Sequence, residues 1–159
     1  MNFFDLDDDD DACAEAHCDK HVVKMILEYA QLLSSAHHVF NSPRKDKVYK
    51  QTHVNHPTAV WVRASSDNYK RVFRVMMALG RVYTSRYGKT HLTITKMEEL
   101  LSVPPEGIPH IGPTNPPMCM PDECKRETSR QGYLVYYNHK ADEWAAKGSP
   151  MKWNGETRE

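Results

Sequence analysis

Six polar or ionisable residues, His17, His21, Lys24, Glu28, Gln31 and Ser35, recur at steps of four, three, four, three and four. At about 100° per residue, that spacing stacks all of them on one stripe of a helix. Between them lie Val22, Val23, Met25, Ile26, Leu27, Tyr29, Ala30, Leu32 and Leu33, and Ala36, Val39 and Phe40 follow. A helix apolar on most sides is normally buried. Burying a lysine, a glutamate and histidines is costly unless they pair or serve chemistry, so the stripe is the first place to seek an active site. The plainer reading is that Lys24 and Glu28 form a surface i,i+4 pair in its weaker order, worth about 0.2–0.5 kcal/mol.

An amine held beside a carboxylate can perform imine chemistry. The amine attacks an electrophilic carbon while the carboxylate stabilises positive charge and moves protons. Only a neutral amine attacks. A lysine is less than ~0.1% neutral at pH 7, whereas an α-amine is on the order of 10% neutral. The amine of Met1, or of Asn2 if Met1 is removed, therefore has an advantage of roughly a hundredfold over Lys24. The run Asp7 to Asp11 works against this by favouring a charged amine.

Histidines and cysteines supply a second constellation. His17, His21, His53 and His56, with Cys13 and Cys18, are enough ligands for zinc. None of the familiar zinc spacings is present, and no metal ligand is assigned. A third constellation is basic. Lys50, His53, Asn55 and His56 precede a proline-started helix, where backbone N–H groups and cationic side chains favour phosphate. Arg81, Arg86, Lys89 and His91 are interleaved with Tyr83 and Tyr87, a mixture suited to stacking with phosphate contact.

The elements that must position these residues are helical. A first helix is expected over about 10–40, with a break near His17, stopped by Asn41, Ser42 and Pro43. A second starts at His56-Pro57, with Val60, Trp61 and Val62 as its apolar face. A third is capped by Ser65-Ser66-Asp67 and closed by Gly88. Thr95 and Glu98 form a capping-box pattern. Residues 103–121 are rich in proline and glycine and predict a long wrapping loop. A last helix is expected over about 121–146, carrying Tyr133, Tyr136, Tyr137 and Trp144, and the tail from about 154 is expected to be flexible. The fold expected is an all-α, single-domain helical bundle over 1–159 with one long Pro-rich loop.

The chain has 159 residues and zero formal net charge. It has no apolar run of membrane-spanning length and no signal-like start, so a soluble, cytoplasmic monomer is expected, in the host cytoplasm if the source is viral. Four cysteines without a CxxC pair predict reduced thiols. Charge is segregated: acid dominates the first thirty residues, and lysine and arginine dominate 44–96. A neutral total can thus hide a basic face that takes phosphate.

The stretch HVVKMILEYAQLLSSAHHV (21–39), followed by NHP (55–57) and VYTSRYGK (82–89), resembles the pyrimidine-dimer DNA glycosylase/AP lyase family, of the phage endonuclease V type. The resemblance aligns Glu28 with that family's key carboxylate and His21 with a histidine seven residues before it. It implies an N-terminal amine nucleophile, double-stranded DNA as partner, no cofactor, and an imine that permits strand cleavage. Glu28 would then stabilise charge at the sugar, with His21 and Lys24 orienting it and holding phosphate. Lys20, Lys50, His53, Asn55, His56, Arg86, Lys89 and His91 would contact DNA. The family's arginines beside the glutamate are absent here, with Lys20 and Lys24 the nearest cations. Two alternatives stand beside this reading. One is a metal-dependent hydrolase or nucleotide-processing enzyme built on the histidines. The other is a non-enzymatic DNA-binding or inhibitor protein of phage type.

Overall fold

In a computed structural model, residues 1–153 and 156–158 are described. Six α-helices, one 3-10 turn and a short hairpin follow an extended N-terminal segment. The helices are α1 (Asp10–Glu15), α2 (Asp19–Val39), α3 (Pro57–Ala64), α4 (Ser66–Tyr87), α5 (Leu92–Leu101) and α6 (Ser129–Ala146). The all-α expectation holds. Helix α2 is the central strut, packing on α3, α4 and α5. Its Val22, Ile26, Leu33 and Tyr29 are fully buried.

The break expected near His17 divides the first helix into α1 and α2. Cys18 is extended (φ −67°, ψ 162°) and starts α2 afresh. His17 therefore leaves the stripe and turns into the core, where it is fully buried. Helix α3 starts on Pro57, which lacks the N–H that a first turn leaves unpaired. It buries Trp61 and Val62, while Val60 is exposed rather than part of its apolar face. Helix α4 is capped by Ser65, whose hydroxyl accepts from Asp67 N–H, and ends on Gly88 at φ 72°, a left-handed conformation that glycine adopts without strain.

Two expected helix starts move. Helix α5 begins three residues before Thr95, because His91 caps it by accepting from Thr93 N–H at 3.1 Å. Helix α6 begins at Ser129, not at 121, because Thr128 and Gln131 form a reciprocal capping box. Asp122–Cys124 ahead of it is the 3-10 turn.

The loop 103–121 wraps the molecule as expected. It runs past the starts of α3 and α4, where Thr114 accepts from Trp61 Nε1 through its carbonyl at 3.0 Å and donates its N–H to Asn68 Oδ1 at 2.9 Å. It then reaches α6, where the Pro117 carbonyl accepts from the Tyr133 hydroxyl. In the tail expected to be flexible, β2 (Glu156–Arg158) pairs antiparallel with β1 (Met151–Trp153). Buried Met151 and a bond from Lys152 N–H to Asp19 (3.0 Å) fix β1 to the bundle. Residues 154, 155 and 159 of that tail lie outside the described residues.

Candidate active site

The N-terminal segment threads between the helices, and its own side chains hold it there. Successive residues of an extended chain point to opposite sides. Phe3 packs on Tyr29 and Trp61, each with ring centroids 5.4 Å away. Phe4 stacks on His21 at 4.3 Å and meets Tyr133 and Tyr137 of α6. Both rings are buried, which stabilises each by about 1.5–3 kcal/mol relative to exposure.

Hydrogen bonds satisfy the backbone this burial strands. Phe4 N–H donates to the Tyr29 hydroxyl at 3.1 Å, and the Phe4 carbonyl accepts from Cys13 Sγ at 3.2 Å. His17 closes the network. Its Nδ1 lies 2.7 Å from the Cys13 carbonyl, which can only accept, so Nδ1 carries the proton. Nε2 then accepts from Tyr29, also at 2.7 Å. This needs a neutral ring, and burial pushes the His17 pKa down to about 4.

A guanidinium fastens the next residues. Arg71 of α4 donates to the Asp7 and Asp8 carbonyls and faces the Asp5 and Asp10 carboxylates at 3.7 and 3.3 Å. Arg74 and Arg81 pair with Asp10 and Asp11, and Arg130 of α6 pairs with Asp8. The acidic N-terminus and the basic stretch thus neutralise each other across a packed interface. The segregation seen in the sequence leaves a smaller basic surface than the residue count suggests.

Held this way, the segment delivers residues 1 and 2 to a cavity of about 170 Å³ beside α2. Met1, Asn2, His21, Lys24 and Glu28 all line it. The five residues expected to be catalytic are therefore brought together. Helix α6 closes the far wall with Tyr136, Lys140 and Trp144. The volume lies below the roughly 300–1,000 Å³ of sites that enclose drug-sized ligands, which suits a sugar ring or smaller group.

Within the cavity, Glu28 Oε2 is buried with no hydrogen bond, 3.4 Å from Lys24 Nζ but not aligned to receive its proton. A buried carboxylate oxygen without a donor costs free energy and is the kind of exception that calls for a reason. Lys24 itself is largely exposed and Val23 and Leu27 partly so, so the stripe borders solvent instead of being buried throughout. Gln31 is half-buried, and Ser35 is buried and tied to the backbone of Thr52.

His21 is neutral at pH 7. Burial first, then the charges of His17, Lys24, Lys140 and Lys20, lower its pKa to about 3. Its Nδ1 lies 2.7 Å from the Tyr137 hydroxyl. Neutral, it can orient a neighbour or donate a hydrogen bond through one ring N–H, without adding a positive charge. His56 lies close enough to the N-terminus for the α-ammonium to act on it. Burial first, then that charge, then His53, hold the His56 pKa below the usual histidine range. Its Nδ1 accepts from Thr58 N–H at 3.1 Å, so His56 occupies the helix N-terminus that a phosphate would have used.

The other expected DNA contacts scatter around this centre. Lys50, His53, Asn55, Arg86 and Lys89 are exposed. Arg86 faces Asp7, Asp11 and Glu15 across a groove of about 720 Å³ between α1 and α4. Lys20 bonds to Ser149 and covers the Trp144 ring at 4.4 Å. His91 caps α5 and donates from Nε2 to the Val23 carbonyl at 3.2 Å. The Tyr49 and Thr93 hydroxyls, 3.1 Å apart, join the 49–56 loop to α5. The histidines and cysteines considered for zinc do not converge: among the described residues, no three His, Cys, Asp or Glu are placed to hold a metal ion.

Sequence reading missed the cavity's far wall. Tyr136, Lys140 and Trp144 recur every four residues, a spacing that puts an amine between two aromatic rings on one helix face. That was the available signal. No protein family, curated protein or solved structure matches the chain.

Proposed function

We propose that the protein is a DNA glycosylase with AP-lyase activity, working on double-stranded DNA as a monomer. The observation that carries this reading is that residue 1 and Glu28 line one cavity although 27 positions separate them. The α-amine of residue 1 attacks C1′ of a damaged or modified nucleotide, and the base leaves with the electrons of the glycosidic bond. The attached amine then loses a proton and expels O4′ from C1′, opening the sugar ring as O4′ takes up a proton; the imine so formed acidifies the C2′ proton, and its removal expels the 3′ phosphate. Glu28, with one oxygen buried and unbonded, stabilises the positive charge that develops at the sugar and carries the proton. Neutral His21, with Lys24 and Lys140, lines the same cavity.

Borohydride reduction tests the imine. Incubated with duplex DNA containing an abasic site, the protein should become covalently joined to the strand, and acetylation of the α-amine should abolish the adduct. An adduct that survives acetylation but not Lys24→Ala moves the nucleophile to Lys24. Absence of any adduct defeats the reading. Glu28→Gln keeps size and reach but removes the charge. Base release should fall by roughly 10²-fold while DNA binding persists. If Glu28→Gln unfolds the protein and spares the activity of the folded fraction, Glu28 belongs to a structural ion pair.

A further inference from the structure

Beside the cavity, α2 carries two apolar side chains that remain partly exposed. Val23 and Leu27 are 43% and 39% exposed, one helical turn apart. Leu27 directly precedes Glu28. At about 100° per residue, the two point to adjacent faces, Glu28 into the cavity and Leu27 outward. On the side away from the cavity, the His91 bond to the Val23 carbonyl sets the start of α5 against α2. Leu92, the next residue in the chain, is 62% exposed. Lys24 stands on the ridge of Val23 and Leu27, and Lys89 lies on the turn leading to α5; both are exposed. Partly exposed aliphatic side chains with lysines nearby match a stack of bases with phosphates on its rim.

We propose that Leu27, backed by Val23, enters the base stack of duplex DNA and fills the space a displaced nucleotide leaves, while that nucleotide's sugar sits at Glu28. Apolar wedges of this kind hold a duplex open by replacing lost stacking contacts. Lys24 and Lys89 take the phosphates on either side. The proposal rests on the glycosylase reading for its account of the displaced nucleotide, but its test is separable from that reading.

The probe is a duplex with a tetrahydrofuran abasic-site analogue next to 2-aminopurine, whose fluorescence rises when it unstacks. Binding of the wild-type protein should raise the signal, and Leu27→Ala should lose most of that rise at saturating protein. Leu27→Phe, with more surface to insert, should keep it. Leu27 is exposed, so the alanine variant leaves the core intact. In parallel, borohydride trapping is measured on an abasic site in duplex and in single-stranded DNA. Leu27→Ala should lower the duplex-to-single-strand ratio by about tenfold, because only the duplex needs opening. No rise with the bound wild-type protein, or an equal rise with Leu27→Ala, overturns the wedge. Self-association of the free protein that Leu27→Ala abolishes also overturns it and assigns the ridge to a second copy. If trapping fails on both substrates, the glycosylase reading falls and the fluorescence arm alone decides the wedge.

Discussion

His17 shows how much one ring can hold. It bonds the Cys13 carbonyl with one nitrogen and Tyr29 with the other, and Tyr29 in turn holds Phe4. Spacing alone assigns it to the α2 stripe. A break near His17 is legible, but nothing in its type or position says that the ring swings inward, since that depends on the Cys13 carbonyl and Tyr29, 4 and 12 residues away. Glu28, His21 and Lys24 were legible because all three lie within one regular helix, where spacing fixes direction. The burial of His17 also predicts a pH dependence. Its folded pKa of about 4 lies below the roughly 6.5 of an unfolded histidine, so the unfolded state takes up the proton first. The stabilisation is complete above about pH 6.5 and is lost as pH falls towards 4, by on the order of 3 kcal/mol for this one ring. His21 and His37, lowered to about 3 and 4 chiefly by burial, act in the same direction. Denaturant titrations at pH 7, 5.5 and 4.5 should show the decline, with a shallower one in His17→Gln. The same slope in both proteins would remove His17 from the account.

Among the elements, the N-terminal segment matters most because it has no regular structure of its own. Helices announce themselves by period and caps, and α3 and α4 start where proline and serine place them. An extended segment has no such signature beyond Phe3, Phe4 and Leu6, all buried here. His91 as the cap of α5 was equally hidden, since histidine seldom marks a helix start. Arg71 is the element-scale test. Its fork spans two carbonyls and two carboxylates, and lysine, a point charge, cannot reproduce it. Arg71→Ala should cost about 2 kcal/mol, visible as a lower melting temperature, and Arg71→Lys should recover less than half of that loss. A melting temperature unchanged in Arg71→Ala would mean that Phe3, Phe4 and Leu6 hold the segment without it.

For the whole molecule, a neutral total conceals an internal cancellation. The acids of the first turns meet the arginines of α4 and α6, so linear charge counts overstate the exposed basic surface. Sequence order cannot reveal this, because the pairs are 60 to 120 residues apart. The consequence for DNA is specific. The sequence groups Arg86 with Lys89, but Arg86 looks onto Asp7, Asp11 and Glu15. Lys89→Ala should lower the slope of log binding constant against log salt by about one unit, and Arg86→Ala should barely change it. Equal effects of the two substitutions would place both on the phosphate path.

The interlock between the two ends of the chain also sets the order of assembly. Asp5 accepts from Ser129, Asp8 pairs with Arg130, and Phe4 rests against Tyr133 and Tyr137. Phe4, Asp5 and Asp8 complete their contacts only after α6 has been made. Until then Phe3, Phe4 and Leu6 have an incomplete site, exposed to whatever chaperone or aggregation partner meets them. Contacts this distant in sequence close late and slow the final step of folding. A shortened chain ending before α6 would keep the Tyr29, Trp61 and Arg71 anchors of the segment and lose only the partners of Phe4, Asp5 and Asp8 on α6.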